Sequence, residues 1–387
     1  MTPKHAQRID AIEPSIFSTM SQLAAEHRAV NLGQGFPDFD GPEWIVEAFI
    51  DALRSEKNQY APMTGVQRLR RAIAGYQQQF YGLDWNAESE ITVTAGATES
   101  LFSVMLALLD PGDEVILFEP YYDGYHANAL IAGAVPVCVT LQAPDFRIVA
   151  ETLEAAVTPR TRMIVLNNPH NPTGRVFSPD ELAAVADTAK RHDLIVLSDE
   201  VYEFLLFDGR MHIPIATLPG MRERTVTVSS TGKTFGMTGW KIGYTIAREE
   251  ITRAVRTVHQ FVTFAVNTPG QHAMAHGLER LETYLPAFRA LYQDKRDLLF
   301  DGLRDSALAA ILPEASYFMM VRLPEGSGGD VAYATRLVTE QGVAVIPPSV
   351  FYSNSDEGTT MLRLCFAKKD ETIREGVRRL RRCDAES

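Results

Sequence analysis

The chain has 387 residues, 45% of them hydrophobic and 22% charged, with a formal net charge of −12. That length supplies a core of two or three packed units, and the balance excludes a disordered, collagenous or membrane-embedded chain. The acidic surplus excludes broad affinity for nucleic acid or anionic lipid, which needs an excess of Lys and Arg.

The three cysteines, Cys138, Cys365 and Cys383, are too scattered for a disulfide framework or a CxxC centre. The N-terminus has no apolar leader and no apolar run approaches the ~18 residues of a membrane span. The expectation is therefore a soluble enzyme of a reducing compartment, the cytoplasm.

From residue 45 to 285 short apolar strands, polar turns and helical stretches alternate, the rhythm of an α/β fold. In "EITVTAGATESLFSVMLALLDPGDEVILFEP" Leu101, Val104, Met105 and Leu108 fall at helical spacing between two strand-like runs, and Asp110-Pro111-Gly112 stops the helix. Further strands are expected in "RMIVLNN" (162–168), "LIVLSDE" (194–200), "TVTVSS" (225–230) and "GYTIA" (243–247). Several show little polar alternation, as strands buried on both faces do. The predicted heart is a three-layer α/β/α domain over 45–285 with a mainly parallel sheet, its ligand at the carboxyl ends of the strands.

The rhythm then changes. A long helical stretch, "YLPAFRALYQDKRDLLFDGLRDS", precedes strand runs "SYFMMVRL", "GVAVIPP" and "MLRLCFA". Residues 286–387, joined by 1–44, are expected to form a smaller α+β domain. The arginines between Arg374 and Arg382 are assigned to the negative end of a terminal helix.

Several polar groups fall at predicted strand ends. After "TVTAG" Ala97-Thr98-Glu99 opens a helix, and the small residues there suit either an ordinary capped start or an anion cup of backbone N–H groups. "NNPHNPTG" (167–174) is a loop stiffened by two prolines and carrying amide side chains. Asp199 ends a strand expected to be buried, and a buried carboxylate needs a cation or donors.

"SSTGKTFGMTGWKIGY" (229–244) puts two lysines eight positions apart. Gly232-Lys233-Thr234 matches the end of a nucleotide phosphate loop, but Thr227 stands where the loop's first glycine belongs. No GxGxxG follows an early strand. Two lysines, a phosphate cup, an isolated carboxylate and an amide loop together outline a site for an aldehyde cofactor with a phosphate handle, as pyridoxal phosphate has. His272 and His276 lie at i, i+4 without the glutamate and third ligand of a metal motif, so no metal is expected.

"NLGQGFPDF", "NQYAP", "PHNPTG", "SDEVY", "SSTGKTFGMTGWKIGY" and "LRLCFAKK" occur in the order and spacing of the class I/II aminotransferases of fold type I, which the chain resembles from about residue 12. The resemblance is nearest to the methionine aminotransferase and kynurenine or glutamine transaminase branch. It implies pyridoxal 5′-phosphate as cofactor, amino acids and 2-oxo acids as substrates, and a homodimer with shared active sites. Lys233 is similar to the Schiff-base lysine, whose released amine moves the proton between Cα and C4′. Asp199 matches the partner of the pyridine nitrogen, Tyr202 and Asn171 the donors to the phenolic oxygen, and Tyr122 the ring stacked on the cofactor. Ser230, Lys241 and the backbone around Gly96, Ala97 and Thr98 match the phosphate cradle. Tyr60 resembles the tyrosine that reaches the phosphate from the neighbouring subunit.

On the substrate side, Arg363 resembles the arginine that grips the α-carboxylate with a two-pronged contact, with Asn167 and the backbone of Gly35 as helpers. Phe17, Tyr60, Tyr125 and Phe264 resemble pocket-lining positions, an aromatic box suited to a thioether or ring. "HQFVTFAVNTPG" has no arginine where aspartate-specific relatives carry one, which implies a neutral side chain. Ala265 stands where some relatives place a histidine, which counts against kynurenine. Methionine is the expected donor, with aromatic amino acids, glutamine, kynurenine and β-elimination from cysteine conjugates as alternatives. A cofactor-binding regulator of the same fold needs a DNA-binding module, and the resemblance leaves no segment for one.

Overall fold

The computed structural model describes residues 6–12 and 14–382, so Cys383 lies outside the described residues. The described strands are β1 (Val30–Asn31), β2 (Ile91–Thr94), β3 (Glu114–Glu119), β4 (Val135–Thr140), β5 (Thr161–Asn167), β6 (Ile195–Asp199), β7 (Thr225–Ser230), β8 (Gly243–Ile246), β9 (Ala309–Ala310), β10 (Phe318–Arg322), β11 (Val343–Ala344) and β12 (Met361–Cys365). Seven form one sheet in the order β2-β8-β7-β6-β5-β3-β4. All neighbours in it run parallel except β8, which is antiparallel to β2 and β7.

Side chains alternate faces along a strand, and the core records this. Val115, Leu117, Met163, Val165 and Leu197 share one apolar cluster with Leu101, Val104 and Met105 of the helix Gly96–Leu108. Ile116, Phe118, Ile164, Leu166 and Val196 join the other cluster with Leu182 and Val185 of the helix Pro179–Arg191. Both faces are apolar because both are covered, which gives three layers. Pro179–Arg191 starts where Ser178 and Glu181 close a reciprocal capping box and ends with Lys190 and Arg191 in its last turn.

β4 carries Pro136 at its second position, which is tolerated because β4 is the sheet edge. The C-terminal strands form a separate antiparallel sheet, β12-β10-β9, with Met320 opposite Arg363. Of the run 342–348 only β11 is strand, and it pairs in parallel with β1, Val30 opposite Val343. Ile346 then bridges to Arg363. The terminal helix Asp370–Leu380 holds Arg378 and Arg379 on Glu375 at 2.6 Å each. Among the described residues no helix is long and apolar enough to cross a membrane.

Candidate active site

Three adjacent parallel strands end side by side in Asn167, Asp199 and Ser230, and their carboxyl ends open on a cavity of about 230 Å³. Asp199 forms its floor. It is buried, and burial pushes its carboxyl up to about 6; the hydroxyl of Tyr125 (2.6 Å) and the backbone N–H of Val201 (3.2 Å) donate to it and hold it down against that push. Lys233 adds attraction from the side, while Glu200 opposes it.

Lys233 stands on the single helical turn Thr231–Thr234 that follows β7. Its amine donates to the hydroxyl of Tyr317 at 2.7 Å and to the Gly35 carbonyl at 3.3 Å. Loss of water pushes the amine down to about 8, with nearby Arg363 and Lys241 acting in the same direction and Cys365 and Asp199 against it. A neutral amine is therefore accessible near physiological pH.

Arg363 lies in the middle of β12 and is 1% exposed. Its guanidinium sits 4.1 Å from the ring centre of Phe318, 4.9 Å from that of Phe17 and 5.4 Å from that of Phe351. One terminal nitrogen donates to Asn171 Oδ1 at 3.1 Å and the other to the Gly33 carbonyl at 3.1 Å, while Nε has no hydrogen-bond partner among the described residues. Burial pushes its guanidinium down to about 10. Asn171 is itself held, its N–H donating to Asn167 Oδ1 at 2.7 Å, and Asn167 Nδ2 donates to the Asp199 carbonyl at 3.0 Å. A rigid amide chain thus connects the carboxylate floor to the arginine wall.

At one end of the cavity the helix Gly96–Leu108 starts directly after β2, and Gly96 adopts φ +72. Gly243 of β8 approaches this turn so closely that a Cβ there would fall 2.5 Å from the Gly96 carbonyl carbon. The amine of Lys241, itself at φ 53, donates to Thr98 Oγ1 at 3.1 Å, and Ser230 Oγ accepts from the Gly232 N–H at 3.3 Å. The start of a helix meets the Lys241 amine and the Thr98 hydroxyl, and among the described residues no carboxylate oxygen is bonded to that lysine, the chemistry of an anion cradle. These donors, the amine of Lys233 and the carboxylate of Asp199 fit the phosphate, aldehyde and ring nitrogen of pyridoxal phosphate in kind and order.

The cavity wall includes Phe17, Gly35, Tyr122, Tyr125 and Tyr202, as well as Ala97 and Thr98. Tyr125 is 3% exposed, with its hydroxyl committed to Asp199 and its ring edge-on to Tyr122 at 5.4 Å. Tyr60 and Phe264 do not join this wall. They are 84% and 47% exposed and pack on each other at 5.6 Å.

Sequence reasoning passed over Tyr317 and Phe318, which meet Lys233 and Arg363, and Gln34, which also lines the cavity. Its signal was present in "SYFMMVRL", two aromatic residues at the start of an apolar strand. Also passed over was a buried polar cluster on Glu203, which accepts from Ser229 (2.7 Å), Tyr81 (2.8 Å) and Tyr76 (3.2 Å).

The family pattern of aminotransferase class I and II matches residues 27–380. A methionine aminotransferase from Escherichia coli (strain K12) is 43% identical over 375 residues, 97% of this chain and 97% of that protein. A kynurenine–oxoglutarate transaminase from Dictyostelium discoideum is 38% identical over 413 residues, 97% of this chain and 95% of that protein. The solved structure of YbdL from Escherichia coli, for which a methionine aminotransferase function was identified, superposes with a TM-score of 0.93 at 42% identity, covering 98% of this chain and 100% of that one.

Proposed function

The chain belongs to the class I and II aminotransferases, enzymes whose cofactor is pyridoxal 5′-phosphate, and from that premise we propose that it moves the α-amino group of a neutral amino acid, methionine first, to a 2-oxo acid. The observation that carries this reading is Arg363: a fully buried guanidinium fixed by neutral partners, facing the same cavity as the Lys233 amine. A buried cation held only by neutral acceptors is costly unless an anion completes it, and a planar fork is matched by a carboxylate.

When bound, pyridoxal phosphate supplies an aldehyde that takes up amines and a protonated ring that accepts the electron pair left at the substrate Cα. The chain's residues do the rest. Lys241, Ser230, Thr98 and the N–H groups around Gly96 and Ala97 hold the phosphate. Asp199 would keep a proton on the ring nitrogen, Tyr202 and Asn171 would donate to the phenolic oxygen, and Tyr122 would pack against the ring. Arg363, with Asn167 and the Gly35 backbone, orients the substrate carboxylate, and Lys233 Nζ takes the proton from Cα.

The preference for methionine is supported by the apolar walls Phe17 and Tyr122, by the absence of arginine from residues 259–270 and by the name of the Escherichia coli relative. Ala265 and the phenol already committed on Tyr125 leave few polar groups for a kynurenine side chain. The outward-facing pair Tyr60 and Phe264 supports a homodimer in which each copy completes its partner's pocket, and the separate seven-stranded and three-stranded sheets support a division of the chain into a domain of 45–285 and one of 1–44 with 286–387. The acidic surface and scattered cysteines support the cytoplasm as its place of work.

A matrix of amino donors against 2-oxo acid acceptors on the purified protein decides the substrate. Methionine is expected to give the highest kcat/KM. A higher value for aspartate sinks the neutral-pocket reading, and pyruvate with ammonia from cysteine conjugates as the sole products makes the protein a β-lyase instead.

A further inference from the structure

Tyr317 immediately precedes β10 and is 1% exposed. Its ring is wedged edge-on against Tyr202 at 5.2 Å and stacked beside Tyr292 at 6.3 Å. Its hydroxyl lies 2.5 Å from the Gly35 carbonyl and 2.7 Å from the Lys233 amine. A carbonyl oxygen can only accept, and a phenol has one proton. That proton therefore goes to Gly35, and Tyr317 meets Lys233 as an acceptor.

A neutral amine has two N–H bonds and one electron pair. At Lys233 the two acceptors are the Tyr317 oxygen and the Gly35 carbonyl, 2.7 and 3.3 Å away. With both N–H bonds so engaged, the electron pair is left pointing away from both. We propose that Tyr317 is a positioning residue for the Lys233 base: locked as an acceptor by Gly35, it aims the lysine's electron pair at the substrate Cα. The inference rests on the reading of Lys233 as the proton carrier.

Gly33, two residues before Gly35, holds Arg363 through its own carbonyl at 3.1 Å. One short segment thus sets the carboxylate grip directly and the base through Tyr317, so binding of the substrate carboxylate and aiming of the base share one support.

The test is Tyr317→Phe in the full-length holoenzyme, with methionine and with methionine deuterated at Cα. Loss of aim slows proton abstraction while the carboxylate grip stays. The expected outcome is a kcat lower by about ten- to a hundred-fold, KM little changed, and a larger primary isotope effect, at unchanged Tm. A second readout uses cofactor-free full-length protein and competitive acetylation of Lys233 against pH. Asp199, Arg363, Lys241, Cys365 and Tyr202 still face the amine, but one acceptor that favours its charged form is gone, so the midpoint moves down from about 8.

An isotope effect or a midpoint that stays where it is in the wild type overturns the proposal. Should Tyr317→Phe fail to fold, 3-fluorotyrosine at position 317 offers a poorer acceptor of nearly the same shape, with a smaller change expected in the same direction. Full turnover by Lys233→Ala overturns the parent reading and this one together, whereas full turnover by Tyr317→Phe overturns this one alone.

Discussion

The hydroxyl of Tyr125 donates to Asp199 Oδ2 across 2.6 Å at the floor of the cavity. Burial drives the Asp199 carboxyl up to about 6, and this bond is the first of the forces holding it down. Only the ionised form can keep a proton on the cofactor's ring nitrogen. Affinity of the cofactor-free protein for pyridoxal phosphate is therefore expected to fall as pH drops through about 6. In Tyr125→Phe the fall should begin at higher pH. Equilibrium titration with the cofactor at several pH values checks this, and superimposable curves for the two proteins count against it.

Arg363 holds two neutral oxygens and presents a planar fork. Lysine keeps the charge without the fork. Arg363→Lys is expected to lower kcat/KM by about ten- to a hundred-fold, the worth of one or two charge-assisted hydrogen bonds. The loss should be similar for the amino acid and the oxo acid, because both carry the same carboxylate. Steady-state kinetics with each substrate varied in turn is the measurement, and an unchanged kcat/KM speaks against the carboxylate grip.

Gly243 faces backbone that no rotamer can move. A Cβ there meets the Gly96 carbonyl carbon at 2.5 Å and the Ala97 nitrogen at 2.6 Å. Gly243→Ala should push the cradle away from β8, cost about 1–3 kcal/mol of stability and speed cofactor loss on dialysis. Wild-type cofactor retention would remove the cradle from this place.

Glu203 is 1% exposed, and its surroundings are the hydroxyls of Tyr76, Tyr81, Tyr244 and Ser229 with Glu200 and His212 beyond. Burial is the main cause that raises its carboxyl from 4.5 to about 7 in the folded chain. The unfolded chain releases this proton first as pH rises, so the contribution is complete below about 4.5 and is lost as pH climbs through about 7. Glu203→Gln, neutral throughout, should show a flatter dependence of Tm on pH than the wild type between these values. Parallel Tm profiles contradict the assignment.

Most of the cavity was legible because its residues sit at strand ends within short, locally readable motifs. Asn167, Asp199 and Ser230 close three consecutive parallel strands, so identifying the strands places the side chains. The runs at 162–168, 194–200 and 225–230 coincide with β5, β6 and β7 to within a residue at each end. What stayed hidden depends on distant pairing. Tyr317, just before β10, reaches Lys233 on the turn after β7 across 84 positions of sequence, and Arg363 meets Phe318 because the small sheet sets β10 beside β12. The antiparallel entry of β8 between β2 and β7 is equally invisible, since "GYTIA" reads the same in either direction. Glu203 follows "SDEVY" in a turn whose polarity suggests exposure, yet Tyr76 and Tyr81 from a remote helix bury it.

Borohydride reduction of the holoenzyme, followed by peptide mass spectrometry, tests the central claim most directly, because reduction makes the lysine–aldehyde bond permanent. The cofactor's mass is expected on Lys233 and on no other lysine. A label on Lys241, or an unlabelled Lys233 in protein saturated with pyridoxal phosphate, contradicts the site described above.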